Sequence, residues 1–258
     1  MTNGIVSRRN VRTLIVAVLV TLGPATPPVL AQGLTTAQGE AILNELKEVR
    51  RQVEQLRKEF AEAVGPRRAG APEGPAKVAI ADGRTIGSAS SPLVLIEFTD
   101  YQCPYCRVFA VNVFPALKTK YIDTGQLQFV SRDFPLDSHP QAELAARAAR
   151  CAAEQGKYWE LRPVLFANSA ALQQDKLLTY ARDLSLDTAG FQQCLEKEAH
   201  VSSIRRDLDD ALAAGIQGTP TFVLGRRTST GVIEGIRIVG AQPVAAFDAK
   251  IAELLAAK

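Results

Sequence analysis

The hydrophobic pattern of residues 77–258 alternates between short apolar runs and longer stretches with helical spacing. Residues 93–99 form a continuous apolar run with a single acid in it, and residues 104–121 continue with apolar positions at helical intervals. A second apolar run at residues 128–132 stops at a Phe-Pro pair, since proline cannot donate to a strand ladder. This order predicts a βαβ unit with two parallel strands and a right-handed crossover.

The rest of this region predicts a helical block, a hairpin and a terminal helix. Residues 139–214 keep helical spacing throughout, and at about seventy-five residues the block is too long for a simple crossover. Residues 221–224 and 236–239 read as two strands joined by a polar, glycine-bearing turn. Residues 244–255 are amphipathic and follow Pro243, which suits a helix start. The pattern predicts an α/β domain with an inserted helical segment.

Residues 1–31 have the pattern of an export signal. Three arginines precede the apolar run 14–22, and Val29-Leu30-Ala31 offers small residues where signal peptidase needs them, so we expect cleavage after Ala31. A retained membrane anchor is the less favoured alternative, because a spanning helix needs about 20 apolar residues. The protein is therefore expected in the periplasm or otherwise exported, and soluble after cleavage.

Residues 32–64 predict an oligomerisation helix in front of the domain. Apolar residues recur there at alternating steps of four and three, as in a coiled coil, at Ile42, Leu46, Val49, Val53, Leu56 and Phe60. With about three heptads, a single helix that packs on its own domain is the alternative. Residues 65–76 have the proline and glycine content of a linker. We expect a homo-oligomer through residues 35–63 and a domain at 77–258.

Composition and charge exclude several other classes of partner. The formal net charge is +3 with acids and bases interspersed, so no concentrated basic surface is available for nucleic acid. The two histidines, His139 and His200, are far apart and lack neighbouring ligand-type residues, so we interpret them as cap or surface residues and expect no histidine-based metal site. No glycine-rich phosphate loop follows a strand, and no cofactor is expected.

Candidate chemistry lies at Cys103 and Cys106, between the first predicted strand and its helix. Unpaired N–H groups and the dipole at a helix start stabilise a thiolate, so Cys103 is the predicted nucleophile and Cys106 the resolving cysteine. Pro104 suits the first helical turn, and Tyr105 is expected to contact substrate and adjust the reduction potential. Half of a zinc or copper site is the alternative, with Cu(I) as the ion that two thiolates would hold.

Three stretches of the sequence resemble the Dsb-type thioredoxin-like family of bacterial exported oxidoreductases. They are Glu97-Phe98-Thr99-Asp100-Tyr101-Gln102-Cys103-Pro104-Tyr105-Cys106-Arg107, Arg132-Asp133-Phe134-Pro135-Leu136 and Gly218-Thr219-Pro220-Thr221-Phe222. The resemblance covers Lys77 to the C-terminus and implies a thioredoxin-like fold in which residues 139–214 are the inserted helical domain. It also implies cysteine-containing exported proteins as substrates and a membrane protein as redox partner.

The resemblance extends to residues around the predicted redox pair. Pro220 matches the family's proline that follows a cis peptide bond beside the cysteines, and Thr219 matches the residue that pairs with substrate backbone; a strand-initiating proline is the alternative. Glu97 matches an acid beneath the active site, where a buried carboxylate would exchange protons with Cys106. The alternative for Glu97 is an acid at a strand edge that faces water.

Cys151 and Cys194 lie in the helical block, where similar domains of the family often carry a cysteine pair. We interpret them as a structural disulfide, which would close a loop of about forty residues. Two inert buried thiols, or a second redox pair, are the alternatives.

Together these features predict an exported thiol-disulfide oxidoreductase that acts on protein disulfides. The resemblance is to isomerase-like or reductase-like members, which combine an N-terminal oligomerisation helix, threonine before the cis proline and a Cys-Pro-Tyr-Cys site. A monomeric oxidase that donates its disulfide is the alternative within the class. From another class, a copper-binding or chaperone protein would use the thiolates of Cys103 and Cys106, as in stalked relatives associated with copper tolerance. Such a carrier would need neither Glu97 nor the Thr219-Pro220 pair.

Overall fold

The computed structural model describes residues 36–64 and 74–257, so the predicted signal at 1–31 and most of the predicted linker lie outside the described residues. The chain divides into two units, residues 1–65 and 66–258. In the described part of the chain, no helix combines the length and the apolar character that crossing a membrane requires.

The described part of the first unit is a single helix, α1, from Thr36 to Val64. Four apolar side chains of the predicted coiled-coil positions are between 43% and 59% exposed, namely Ile42, Leu46, Val49 and Val53. The side chains of Leu56 and Phe60 lie outside the described residues. Oligomerisation through this helix stays a prediction.

The second unit is an α/β domain around one sheet of six strands in the described residues, in the order β1-β6-β5-β3-β4-β2. The strands are β1 (Pro75–Ala79), β2 (Arg84–Ile86), β3 (Leu93–Thr99), β4 (Leu127–Asp133), β5 (Thr221–Arg227) and β6 (Val232–Val239). Strand β3 pairs in parallel with β4, and the other neighbours are antiparallel. The predicted thioredoxin-like α/β fold is confirmed.

The described helices of this unit lie between and after these strands along the chain. They are α2 (Pro104–Val108), α3 (Phe114–Leu117), α4 (Ala142–Glu154), α5 (Tyr158–Ala167), α6 (Gln174–Asp183), α7 (Thr188–Glu196), α8 (Val201–Ala213) and α9 (Val244–Ala256). Two π-helical segments, Phe109–Val113 and Lys118–Ile122, continue α2 and α3. Helices α4 to α8 fall inside the predicted insertion at 139–214.

The unbroken apolar pattern of β3 follows from its place in the middle of the sheet. Every residue of β3 is buried, because β5 and β4 flank it and both faces are covered. Leu95 packs on one side with Phe109, whereas Ile96 packs on the other side with Val223. The candidate active site begins directly after this strand, which holds the start of the site in position.

Two strands were not predicted, the two strands of the hairpin are longer than predicted, and the boundary between linker and domain is moved. Strand β1 begins at Pro75, so the interval 65–76 is too long for a linker and the domain begins before residue 77. Strand β1 is five residues long and β2 three, and both lie at the edges of the sheet, where only one side of the strand pairs. Edge strands tolerate proline and polar residues, so their pattern is weak.

A buried network of charges fastens the helical insertion to the sheet. Arg150 on α4 donates to Asp133 Oδ2 at the end of β4 (2.5 Å) and to Asp207 Oδ2 on α8 (2.5 Å). Arg132 on β4 donates to Asp207 Oδ1 (2.7 Å). All four groups are buried and need charge partners, and Asp210 and Asp82 at the margin of the network also pair with Arg132 and Arg150. The network holds α4 and α8 at one position on β4.

A disulfide joins two helices of the insertion. Cys151 on α4 and Cys194 on α7 have their sulfurs 1.97 Å apart and their Cα atoms 5.9 Å apart. They are 43 residues apart in sequence, and closing a loop of this length stabilises the folded state by about 4 kcal/mol in the chain-entropy model.

Candidate active site

Cys103 lies at the N-terminal end of the helix that follows β3. It is the N-cap residue of α2, with Pro104 in the first helical turn, and the backbone N–H groups of Tyr105 and Cys106 help to lower its pKa. Both cysteines are buried and free, with Cys103 3% exposed and Cys106 fully buried. This is the place where the helix terminus favours a thiolate.

The pKa values of the two thiols are shifted in opposite directions. A hydrogen bond from the Cys106 thiol, followed by one from Thr219, lowers the pKa of Cys103 to about 6. Burial raises the pKa of Cys106 well above its usual range, and the neighbouring Cys103 adds to the rise. At neutral pH the first sulfur is therefore a thiolate and the second a protonated thiol.

The Thr219–Pro220 peptide bond is cis and lies beside this thiol. The Thr219 carbonyl oxygen lies 3.4 Å from Cys103 Sγ, although the two residues are 116 positions apart in sequence. The sheet brings them together, because β5 begins at Thr221 and pairs with β3 through Phe98. The alternative was an ordinary proline at the start of a strand, which has a trans peptide bond. Pro220 has a cis bond, so this alternative is wrong.

Asp100 organises the loop before Cys103, a role that the sequence analysis missed. Its Oδ1 accepts from the backbone N–H groups of Gln102 (2.7 Å) and Cys103 (3.2 Å). Its Oδ2 accepts from Leu136 N (2.9 Å) and lies 2.7 Å from His139 Nδ1. His139 is thus a partner of the active-site loop, where we expected a cap or surface residue. An aspartate just before a helix start is the sequence signal for such a turn.

Glu97 on β3 is fully buried, which excludes the water-facing alternative. Its Oε2 accepts from Arg162 Nη2 on α5 at 2.7 Å. Burial raises the pKa of Glu97, and the Arg162 charge opposes that rise. The Glu97 charge in turn contributes to the raised pKa of Cys106. The carboxylate is therefore in electrostatic contact with the second sulfur.

Arg162 is the second residue that sequence analysis missed. It is buried, and its guanidinium carbon lies 4.8 to 5.8 Å from four aromatic ring centroids, those of Phe114, Phe129, Trp159 and Phe166. Such rings attract a cation through their faces. An arginine inside the apolar sequence of α5 was the available signal, but nothing local pairs it with a residue 65 positions away.

The surface beside Cys103 is apolar. Pro104 is exposed, and Tyr105 is 48%, Val108 43% and Val111 55% exposed. The last three follow one another at intervals of three along the helix, so they share a face that begins at the redox motif. Of the predicted substrate-binding residues, Pro104 directly follows Cys103, Thr219 has its carbonyl oxygen 3.4 Å from the first sulfur, and Tyr105 is exposed on this face.

The fold and this site define a thioredoxin-like domain with a helical insertion. Residues 80–234 match the family model Thioredoxin_4, described as Thioredoxin, and this is more than half of the chain. The protein belongs to this family, and its solved neighbours identify the domain as Dsb-type, as the resemblance predicted.

Solved structures match most of their own length. α-DsbA1 of Wolbachia pipientis is 27% identical with a TM-score of 0.60, over 67% of this chain and 91% of that chain. DsbA2 of Pseudomonas aeruginosa is 25% identical with a TM-score of 0.53, over 66% and 92%. BdbD of Bacillus subtilis shares the fold, with a TM-score of 0.61 at 22% identity over 72% and 99%.

Curated relatives are longer proteins that share one segment with this chain. The Na(+)/H(+) antiporter NhaA 3 of Salinispora tropica is 38% identical over 143 residues, which are 55% of this chain and 21% of the relative. NhaA of Herminiimonas arsenicoxydans is 36% identical over 160 residues, 58% and 25% respectively. The matched segment covers at most a quarter of the length of these two relatives, so most of each relative has no counterpart in the match.

Proposed function

We propose that this protein is a thiol-disulfide oxidoreductase that acts on the disulfides of other proteins through Cys103 and Cys106. The opposite pKa shifts of the two neighbouring thiols carry this proposal. A pKa of about 6 makes Cys103 a thiolate nucleophile at neutral pH, whereas Cys106 stays protonated until it attacks the mixed disulfide.

The exchange runs in two steps with Glu97 as the proton carrier. The Cys103 thiolate attacks a substrate disulfide, which forms a mixed disulfide and releases one substrate thiolate. Cys106 then gives its proton to Glu97 and attacks the Cys103 sulfur, which releases the second substrate thiolate and leaves a Cys103–Cys106 disulfide. The substrate gains two electrons, and the reverse sequence oxidises it. Arg162 holds the Glu97 carboxylate in place for this transfer.

The substrate-binding roles follow from the surroundings of the first sulfur. An extended substrate segment would pair with the backbone of Thr219, next to Cys103, and lay apolar side chains against Pro104 and Tyr105. Burial of apolar surface and backbone pairing suit unfolded or partly folded proteins of many sequences. We therefore propose cysteine-containing exported proteins as the substrates, with export and cleavage after Ala31, and a membrane protein as redox partner.

For the direction of electron flow, we propose an isomerase or reductase. The exposed apolar side chains of α1 support an oligomer, in which several active sites would face one client. A disulfide-donating oxidase is the second candidate, because a low pKa of Cys103 stabilises the reduced form and makes the disulfide more oxidising.

The reduction potential of the Cys103–Cys106 pair distinguishes these directions. We would equilibrate the protein with glutathione buffers and follow the disulfide fraction, with Cys103→Ser as the blank. A value of about −200 mV or lower supports the isomerase or reductase, and a value of about −120 mV supports the oxidase. The same protein should restore activity to a client with scrambled disulfides. If Cys103→Ser retains this activity, the proposal of thiol-disulfide exchange is wrong.

A further inference from the structure

Away from the active site, the insertion gathers three side chains that ligate metals. The sulfurs of Cys151 and Cys194 and a ring nitrogen of His200 all lie within 4.8 Å of one another. They come from α4, from α7 and from the residue that precedes α8. Both cysteines are buried and His200 is partly buried. The fold therefore brings two cysteine sulfurs to His200, for which the sequence predicted no metal site.

We propose that reduction of the Cys151–Cys194 disulfide creates a Zn²⁺ site formed by Cys151, Cys194 and His200. A dithiol supplies the two electrons and becomes a disulfide, while the S–S bond of the protein breaks and two thiols form. Zn²⁺ then binds both sulfurs as thiolates, and the two protons pass to solvent. Two thiolates and one imidazole are ligands that zinc prefers, and the charges of Zn²⁺ and two thiolates cancel.

The spacing of the three side chains suits this ion. In a tetrahedral site with Zn–S bonds of about 2.3 Å, two thiolates lie about 3.8 Å apart. The three ligand atoms lie within 4.8 Å of one another, so two released thiolates and the imidazole are within reach of one ion.

The imidazole of His200 has a carboxylate beside it. Glu154 Oε1 lies 2.9 Å from His200 Nε2, and a carboxylate in contact with the imidazole is common at zinc sites.

Such a site would preserve the link between two helices in both redox states. The disulfide joins α4 to α7 under oxidising conditions, and the metal would join the same two helices, together with the start of α8, after reduction. This proposal does not depend on the proposed activity, because it uses neither Cys103 nor Cys106.

The test uses Co²⁺ as a spectroscopic substitute for Zn²⁺. The full chain carries Cys103→Ser and Cys106→Ser, so that Cys151 and Cys194 are its remaining thiols. It is reduced with a phosphine, freed of the reductant without oxygen, and titrated with Co²⁺. We expect thiolate-to-cobalt absorption that saturates at one equivalent and disappears when Zn²⁺ is added. The oxidised protein should give no such absorption.

Two matched variants test the histidine. We expect His200→Gln to weaken Co²⁺ binding at least tenfold, whereas His139→Gln, at the other histidine of the chain, should bind like the parent. Circular dichroism of the reduced proteins reports folding, and if reduction unfolds the parent, Zn²⁺ should restore its helical signal. The proposal is overturned if the folded, reduced parent shows no thiolate-to-cobalt absorption, if His200→Gln binds as tightly as the parent, or if Zn²⁺ leaves an unfolded reduced chain unfolded.

Discussion

Arg162→Met should destabilise the protein in a way that depends on pH. The substitution places an apolar side chain among the four aromatic rings and removes the positive charge 2.7 Å from Glu97. Removing one partner of a buried ion pair costs about 3–5 kcal/mol, because the remaining charge is left without compensation. That full cost applies only while Glu97 is ionised.

The sign of the pH dependence follows from the raised pKa of Glu97. Because burial raises this pKa in the folded protein, the unfolded chain releases the proton at lower pH than the folded one. Stability is therefore greatest below the unfolded pKa and falls as pH rises to the folded pKa, by about 1.4 kcal/mol for each pH unit between them. Without Arg162 the folded pKa rises further and this interval widens. The variant should lose more stability at pH 8 than at pH 5.

Urea unfolding at pH 5 and pH 8 measures both losses. Trp159, the single tryptophan, contacts the Arg162 guanidinium and reports the transition by fluorescence. Serines at both redox cysteines remove their titration from the comparison. Arg162→Lys, which keeps the charge, should lose less at pH 8, and Glu97→Gln should rescue Arg162→Met there. Equal losses at both pH values, without rescue, would show that Arg162 acts only by packing against the rings.

Four further predictions concern other parts of the molecule. Alkylation of Cys103 by iodoacetamide should reach half its maximal rate near pH 6, and a midpoint near 9 would contradict the thiolate assignment. Asp100→Ala should cost about 2 kcal/mol in urea unfolding, since it leaves the partly buried N–H groups of Gln102 and Leu136 without an acceptor, whereas an unchanged midpoint would mean that other groups satisfy them. Replacing both Cys151 and Cys194 by serine should cost about 4 kcal/mol, and a loss below about 1 kcal/mol would show that loop closure contributes little. Leu46→Glu should lower the mass measured by light scattering if α1 assembles the protein, and a parent that is already monomeric would refute the oligomer.

Much of the candidate site could be predicted from short stretches of sequence. The run before Cys103 identified β3 because a central strand is apolar on both faces, and the cysteine spacing at a helix start identified the redox motif. These features depend on residues close together in the chain, where periodicity and helix-end chemistry are local properties. The edge strands β1 and β2 escaped prediction for the same reason, since a short strand paired on one side carries little periodic pattern.

By itself, then, the amino-acid sequence determined the α/β order of the domain, the redox motif and the place of the helical insertion. Only the tertiary structure decided which charges and ligands meet. It placed Arg162 against Glu97 and His139 against Asp100, and it brought His200 to the Cys151–Cys194 pair. Local pattern says that a residue is buried, but its partner depends on how helices from the insertion pack on the sheet, which is a property of contacts between distant parts of the chain.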